Sequence, residues 1–373
     1  MKRLLTLVYI LIGLLVLGGN AKAQDVVKVG VDLEMTGAVA AFGQMTWTGI
    51  QIAHEMQPTV LGKKVKLVLG DNKSDKIEAA NVAQRLIKKD HVVAIIGAVA
   101  SSHSLAIAPI CEENHVPQIT PSSTNPLVTQ NRKWVFRACF IDPFQGDMLA
   151  KFAVNYLHAK TAAVLTDIAQ DYSVGLSNFF IKKFTQLGGK VVSHAFYQTG
   201  DQDFTAQLTA IKKLHPDVIV IPGYYTEIAL IARQARELGI KSTLLAGDGA
   251  EAPELVKIGG KAVEGLYYST HFDEKAAETE LGKKYVKIFR KKYHKAPDAL
   301  GALGFDAYML LMDAIKRAGS TDPAKIRDAL DHTKNFEGVT GIITLVNGNA
   351  VKSGVIRVVK NGKFVYVTTI KPD

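Results

Sequence analysis

The chain has 373 residues, of which 47% are hydrophobic and 21% charged, with a formal net charge of +10. This is ordinary globular composition, and the length is ample for two hydrophobic cores. The lysines are scattered along helix-like segments such as KIFRKKYHK (287–295) and seldom alternate with aromatics, which reads as solvated helix faces and no nucleic-acid groove.

Lys2 and Arg3 precede the apolar run LLTLVYILIGLLVLGG (4–19), and Ala21-Lys22-Ala23 follows. A basic start, an apolar stretch and a small-x-small site have the layout of a signal peptide over 1–23, and the run is short for a membrane anchor. Cleavage after Ala23 makes Gln24 the first residue and removes Lys2, Arg3 and Lys22, so +10 becomes +7. No cysteine precedes Cys111, so the cleavage site lacks the residue that a lipid anchor needs. The expectation is a free periplasmic protein, in which a Cys111–Cys139 disulfide is permitted but not required.

From there the elements alternate. VVKVGVDL (26–33) reads as a strand, FGQMTWTGIQIAHEM (42–56) as a helix and KVKLVLGD (64–71) as a strand. KIEAANVAQRLIKKD (76–90) is an amphipathic helix with Ile77, Ala80, Val82, Leu86 and Ile87 near one side. VVAIIG (92–97), SLAIAPICEEN (104–114) and VPQIT (116–120) continue as strand, helix, strand. This is the signature of βαβ units around a parallel sheet.

The pattern restarts after residue 143. Helices over 144–159, 172–188, 204–215 and 226–239 alternate with strands over 161–167, 190–197, 217–223 and 242–248, which predicts a second α/β lobe. Three helices follow without strands between them (280–294, 302–319, 323–334). Hairpin-like runs GIITLV (341–346), GVIRVVK (354–360) and KFVYVTT (363–369) then turn at Asn347-Gly348 and Asn361-Gly362. Such a tail is best placed by returning to the first lobe and ending on the second. The expected division is 24–143 plus 273–349 for the N-terminal lobe and 144–272 plus 350–373 for the C-terminal lobe, with chain crossings forming a hinge.

Two strand-like runs end in hydroxyl clusters: Ser101, Ser102 and Ser104 after VVAIIG, and Ser122, Ser123 and Thr124 after VPQIT. Parallel strands present their carboxyl ends at one edge, where open α/β sheets hold ligands. Helix caps and turns would account for such residues without a ligand. Alternatively, Ser101 and Ser102 sit before a helix whose free N–H groups favour a carboxylate, and Thr124 can serve either end of a zwitterion. In the second half, Tyr172, Tyr224, Tyr225 and Asp248 also follow strand runs. If the lobes face each other, Asp248 could take an ammonium; core packing for the tyrosines and a turn role for the acid remain open. No G-x-S-x-G, P-loop, G-x-G-x-x-G or H-E-x-x-H pattern occurs, and the ten histidines are dispersed, so neither catalysis nor a metal or other cofactor is expected.

Taken together, GVDLEMTGAVAAFGQMTWTGIQIA, IIGAVASSHSLAIAPICEENHVPQITPSSTNP, DYSVGLSNFF, GGKVVSHAFYQTGDQDFTAQLTAIKKLHPDVIVIPGYYTEIALIARQARELG and AVEGLYYST resemble the branched-chain amino acid-binding proteins of bacterial ABC transporters. The resemblance covers about 24–373. It implies a type I periplasmic binding fold, two α/β lobes joined by a three-crossing hinge that closes on its ligand. It places carboxylate-binding hydroxyls at Ser101 and Thr124, the adjacent donor at Ser102, and the carbonyl that receives the amine at Ser122. The ammonium acid falls on Asp248, where such proteins typically have Glu. The cleft aromatics fall on Tyr172, Tyr224 and Phe42, the last where Tyr is common. A monomer that delivers an aliphatic amino acid to a membrane permease is implied. Burying a Leu-sized side chain contributes roughly 1.5–3 kcal/mol and one methylene only about 0.8 kcal/mol, so Leu, Ile and Val would be poorly separated. A binder of another small carboxylate or amide, or a sensor reporting to a signalling partner, is the alternative.

Overall fold

The computed structural model describes residues 26–372; the signal-peptide reading, with Gln24, lies outside the described residues. Three sheets are present among them.

The first sheet contains β1 (Val26–Leu33), β2 (Thr59–Val60), β3 (Lys63–Asp71), β4 (Ile95–Gly97), β5 (Gln118–Thr120) and β6 (Val135–Arg137) in the order β2-β3-β1-β4-β5-β6. All pairings are parallel except the short β2–β3 pair. In β1 the side chains of Val27, Val29, Val31 and Leu33 are buried, and so are Gly30 and Asp32 between them. That near-continuous burial is what a central parallel strand covered by helices on both faces requires.

The second sheet contains β7 (Thr161–Asp167), β8 (Lys190–Tyr197), β9 (Val218–Ile221), β10 (Thr243–Ala246) and β11 (Tyr267–Thr270). Its parallel part runs β8-β7-β9-β10-β11, repeating the β3-β1-β4-β5-β6 order of the first. The tail then splits. β12 (Phe336–Gly338), β13 (Gly341–Val346) and β14 (Asn349–Val351) form a small antiparallel sheet. β15 (Gly354–Lys360) and β16 (Lys363–Ile370) add antiparallel to the second sheet beside β11. Both hairpin turns are built as read: Asn347, Gly348, Asn361 and Gly362 all have positive φ, the backbone of a type I′ turn.

Helices 280–293 and 299–318 return to the first sheet's side. Helix Ala299–Ala318 packs on helix Ala40–Met56, and a Cβ added at Gly49 would fall 1.7 Å from the Gly301 carbonyl oxygen. Only glycine permits that approach, which also brings Leu300 towards the interlobe edge. The chain therefore passes between the two sheets three times: after β6, after β11 and after β14. Cys139, His271 and Lys352, one from each passage, are close enough that Lys352 acts electrostatically on the other two. The two-lobed α/β architecture with a three-crossing hinge is thus present.

Several local expectations change. The buried face of helix Lys76–Lys88 is Ala79, Val82, Ala83, Leu86 and Ile87; Ile77 is exposed and Ala80 only partly buried, because the 79, 82/83, 86/87 spacing follows the helical period better. Strands β6 and β11, each of three or four residues, were not expected. Cys111 and Cys139 are free, buried thiols, so the permitted disulfide is not formed. No helix among the described residues is long and apolar enough to cross a membrane.

Candidate functional site

The parallel strands of both sheets end at the interlobe gap. A small cavity lies there, lined by Phe42, Val99, Ala100, Ser101, Ser122, Thr124, Tyr172, Tyr224, Asp248, Gly249 and Leu300. Phe42 follows β1, Ser101 follows β4, and Ser122 and Thr124 follow β5; across the gap, Tyr172 follows β7, Tyr224 follows β9 and Asp248 follows β10. Both sets stand beyond the carboxyl ends of their strands, on either side of the β1/β4 and β7/β9 switch points, where α/β sheets open a crevice. Every one of these seven residues is less than 8% exposed. The lobes are closed over the cavity.

The hydroxyl clusters divide their work three ways. Ser101, Ser122 and Thr124 line the cavity. Ser101 Oγ accepts from the Asn125 N–H at 3.2 Å, which leaves its own proton to donate inward. Ser104 and Ser123 instead tie the 98–100 loop: Ser104 Oγ accepts from the Ala98 N–H at 3.0 Å, and Ser123 Oγ donates to the Val99 carbonyl at 2.8 Å. Ser102 is placed elsewhere than expected. Its Oγ donates to Asp171 Oδ2 at 2.7 Å and accepts from the Asp171 N–H at 3.0 Å, so it joins the lobes outside the cavity. The simple capping account also fails for the first cluster. Helix Ser101–Asn114 begins at Ser101, its cap position is Ala100, and no side chain caps it. Its first-turn N–H groups face the same edge as the cavity, a favourable place for an anion.

The loops are held by charged side chains that sequence reading passed over. Glu34 is fully buried and accepts from the Ala100 N–H at 2.9 Å, from the Val99 N–H and from His103 Nδ1 at 2.7 Å. His103 therefore serves the loop and no serine. Arg137, also fully buried, donates to the carbonyls of Ser123 and Asn125 at 2.5 and 3.0 Å, fixing the backbone that carries Thr124. Behind Thr124 lies Asp142, whose N–H donates to the Thr124 carbonyl at 2.9 Å. Burial pushes the Asp142 carboxyl well above its usual range, and nearby Asp248 adds to this.

On the other wall, Tyr172 and Tyr224 stack with centroids 5.5 Å apart and planes 5° from parallel. Phe42 meets Tyr224 edge-on at 5.6 Å and Tyr225 at 5.0 Å. Tyr225 lies outside the cavity lining; its Oη donates across the gap to the Ala38 carbonyl at 3.1 Å. Burial holds the Tyr172 and Tyr224 phenols well above their usual range, so both remain neutral. The Tyr224 hydroxyl has no protein partner.

Asp248 opens a short turn, Asp248–Ala250, without capping it. A Cβ at Gly249 would lie 2.1 Å from the Gly223 carbonyl oxygen, and one at Gly247 would lie 2.2 Å from Tyr172 Oη; glycine on both sides lets the acid sit against the stacked rings. Its carboxylate is braced from behind. Gln145 Nε2 donates to Oδ1 at 2.8 Å and His271 Nε2 lies 2.8 Å from Oδ2. Gln145 and His271 were missed. The run LYYST before His271 is strand-like, and taking it as a strand would have put His271 on the same edge as Asp248. Val99, Ala100, Gly249 and Leu300 carry no chemical signal and were missed for that reason. Among the described residues no group of His, Cys, Asp and Glu could hold a metal ion.

The arrangement thus offers hydroxyl and N–H donors at one end, a fixed carboxylate at the other, and aromatic and aliphatic surface between. The periplasmic binding protein family model matches residues 26–363. A Leu/Ile/Val-binding protein homologue of Brucella abortus is 32% identical over 92% of each chain. Among solved structures, a leucine-binding protein from Thermotoga maritima is 59% identical with a TM-score of 0.92, over 93% of this chain and 99% of that one. A branched-chain amino acid transporter binding protein from Streptococcus pneumoniae, in complex with isoleucine, is 32% identical with a TM-score of 0.88, over 93% and 100%. The chain belongs to the periplasmic binding protein family and has its type I fold.

Proposed function

We propose that the protein captures an aliphatic amino acid between its lobes and presents it to an ABC transporter permease. The observation that carries this is the polarity of the cavity: Ser101 and Thr124 on one wall and Asp248 on the other, with Phe42, Leu300 and the stacked Tyr172–Tyr224 pair between. The ligand carboxylate is received by the Ser101 and Thr124 hydroxyls and the start of helix Ser101–Asn114. Its ammonium is received by Asp248 and the Ser122 carbonyl. The side chain lies against the aromatic rings and Leu300. The relatives named for leucine and isoleucine support the aliphatic class.

Among the described residues, 26–143 plus 273–349 form one lobe and 144–272 plus 350–372 the other, and binding shifts an open–closed equilibrium because ligand contacts come from both. The protein works in the periplasm as a monomer, after loss of residues 1–23, with no cofactor and no covalent chemistry. A thermal-shift screen of refolded, ligand-free protein against amino acids, small carboxylates and amides tests the reading. Stabilisation by Leu, Ile or Val above the other classes supports it; stabilisation by amine-free acids alone overturns it, and turnover of the bound compound would replace binding with catalysis.

A further inference from the structure

The acid at the amine end is an aspartate, and its environment is built. Asp248 Oδ1 accepts from Gln145 Nε2 at 2.8 Å, and the same Nε2 also donates to Ser269 Oγ at 2.9 Å. Oδ2 faces His271 Nε2 at 2.8 Å. His271 is 2% exposed as a residue, stacks on Phe140 with centroids 3.9 Å apart, and has no partner at Nδ1. One face of Asp248 therefore meets the cavity while the other meets an imidazole that can carry a proton.

We infer that Asp248, His271 and Gln145 form a three-residue receptor for the ligand ammonium, with His271 as a positioning residue that competes with the ligand for the charge of Asp248. This rests on the amino-acid reading of the cavity. Gln145 is a fixed donor and sets the carboxylate plane. His271 donates Nε2–H to Oδ2 in either protonation state, so the geometry is kept while the charge beside Asp248 is not. Without ligand and at acid pH, a protonated His271 pairs with Asp248. When an ammonium arrives, Asp248 is already compensated, a second buried cation is unfavourable, and His271 releases its Nδ1 proton to solvent.

The surroundings of the imidazole confine its protonated form to acid pH. Lys352 opposes a proton on His271, whereas Asp248 and Glu251 favour it, and burial outweighs them, holding the imidazole below its usual range. Asp142 also faces Asp248, as a buried and raised acid, and adds no cation. The consequence at acid pH is selectivity: a ligand without an amine leaves the proton on His271 beside Asp248, and a ligand with one expels it.

The test is calorimetric titration of the mature protein with L-leucine at about pH 5 and about pH 8, each in two buffers of different ionisation enthalpy. Wild type should release a fraction of a proton per leucine at the lower pH and none at the higher, with affinity falling several-fold on acidification, bounded by about tenfold per pH unit for one linked proton. His271→Gln keeps a donor at the Nε2 position but cannot ionise. It should bind leucine at the higher pH, show no buffer-dependent heat and lose the acid sensitivity. Proton release by His271→Gln equal to wild type, or leucine binding by wild type at the lower pH with no proton release, overturns the inference alone. No leucine binding by wild type at either pH overturns the amino-acid reading and this inference with it.

Discussion

Ser102 Oγ, at the start of helix Ser101–Asn114, donates to Asp171 Oδ2, at the start of helix Asp171–Gln186, at 2.7 Å across the interlobe gap. Asn125 Nδ2 donates to the Asp171 carbonyl at 2.6 Å beside it. These bonds exist only when the lobes meet, so they contribute to closure without touching a ligand. Ser102→Ala should weaken leucine binding by about 0.5–1.5 kcal/mol, the net worth of one hydrogen bond, and by the lower part of that range because Asp171 is partly exposed. Calorimetry gives the affinity, and small-angle scattering gives the fraction closed at saturation. An unchanged affinity would remove Ser102 from the closing mechanism.

The residues lining the cavity behave differently. Ser101→Ala, Thr124→Ala and Asp248→Ala should each cost about 1–3 kcal/mol of binding, because each leaves a buried ligand group without its partner. The thermal stability of the ligand-free protein should change less than the affinity does. Normal affinity in all three would discard the site.

Gly249→Ala tests the approach of Asp248 to the rings. Its Cβ would stand 2.1 Å from the Gly223 carbonyl oxygen and 3.0 Å from Tyr224 Cδ1, so the turn must shift. The expected outcome is a folded protein, by circular dichroism, with affinity reduced by at least tenfold, as expected for a displaced charged partner. Wild-type affinity would mean that the turn moves freely.

Lys352 predicts a pH dependence at the hinge. It is buried, donates to Thr340 Oγ1, and burial holds its ammonium down at about 8, against an ordinary 10.5. Between those two values the unfolded chain binds more protons than the native one, so stability rises with pH across this window. Below about 8 the buried charge carries its full cost in the native state. Denaturant unfolding from pH 7 to 10 should show wild type gaining on Lys352→Met as pH rises. A constant difference between the two would contradict this assignment.

The order of strands and helices was legible because parallel sheets buried on both faces demand apolar runs separated by amphipathic helices, as β1, β7 and β9 show. Strands β6 and β11 were not, since only the three-residue turn Pro126–Val128 separates β6 from β5 and a helix of seven residues, Pro253–Gly259, precedes β11, so the strand–helix alternation is weak there, and losing β11 concealed His271. Positions Ser101, Ser122, Thr124, Asp248 and Tyr224 were legible as polar residues just past strand ends. Ser102 was assigned to the wrong partner because adjacent helical residues point in different directions, and only the facing lobe decides what each meets. Leu300 belongs to a helix some two hundred residues from the hydroxyls, and no local pattern marks it. The scattered histidines also have a physical account. His91, His115, His158, His215 and His294 all have positive φ; they stand at helix ends and turns, where a left-handed residue is needed.

The most direct measurement compares L-leucine with 4-methylpentanoate, which keeps the carboxylate and side chain but lacks the amine, by calorimetric titration of the refolded protein at about pH 8. A receptor with Asp248 buried at the amine end predicts tight binding of leucine and a loss of at least a hundredfold, about 2.7 kcal/mol, for the amine-free acid. Equal affinity for the two would contradict the assignment of Asp248 and, with it, the capture of a zwitterion.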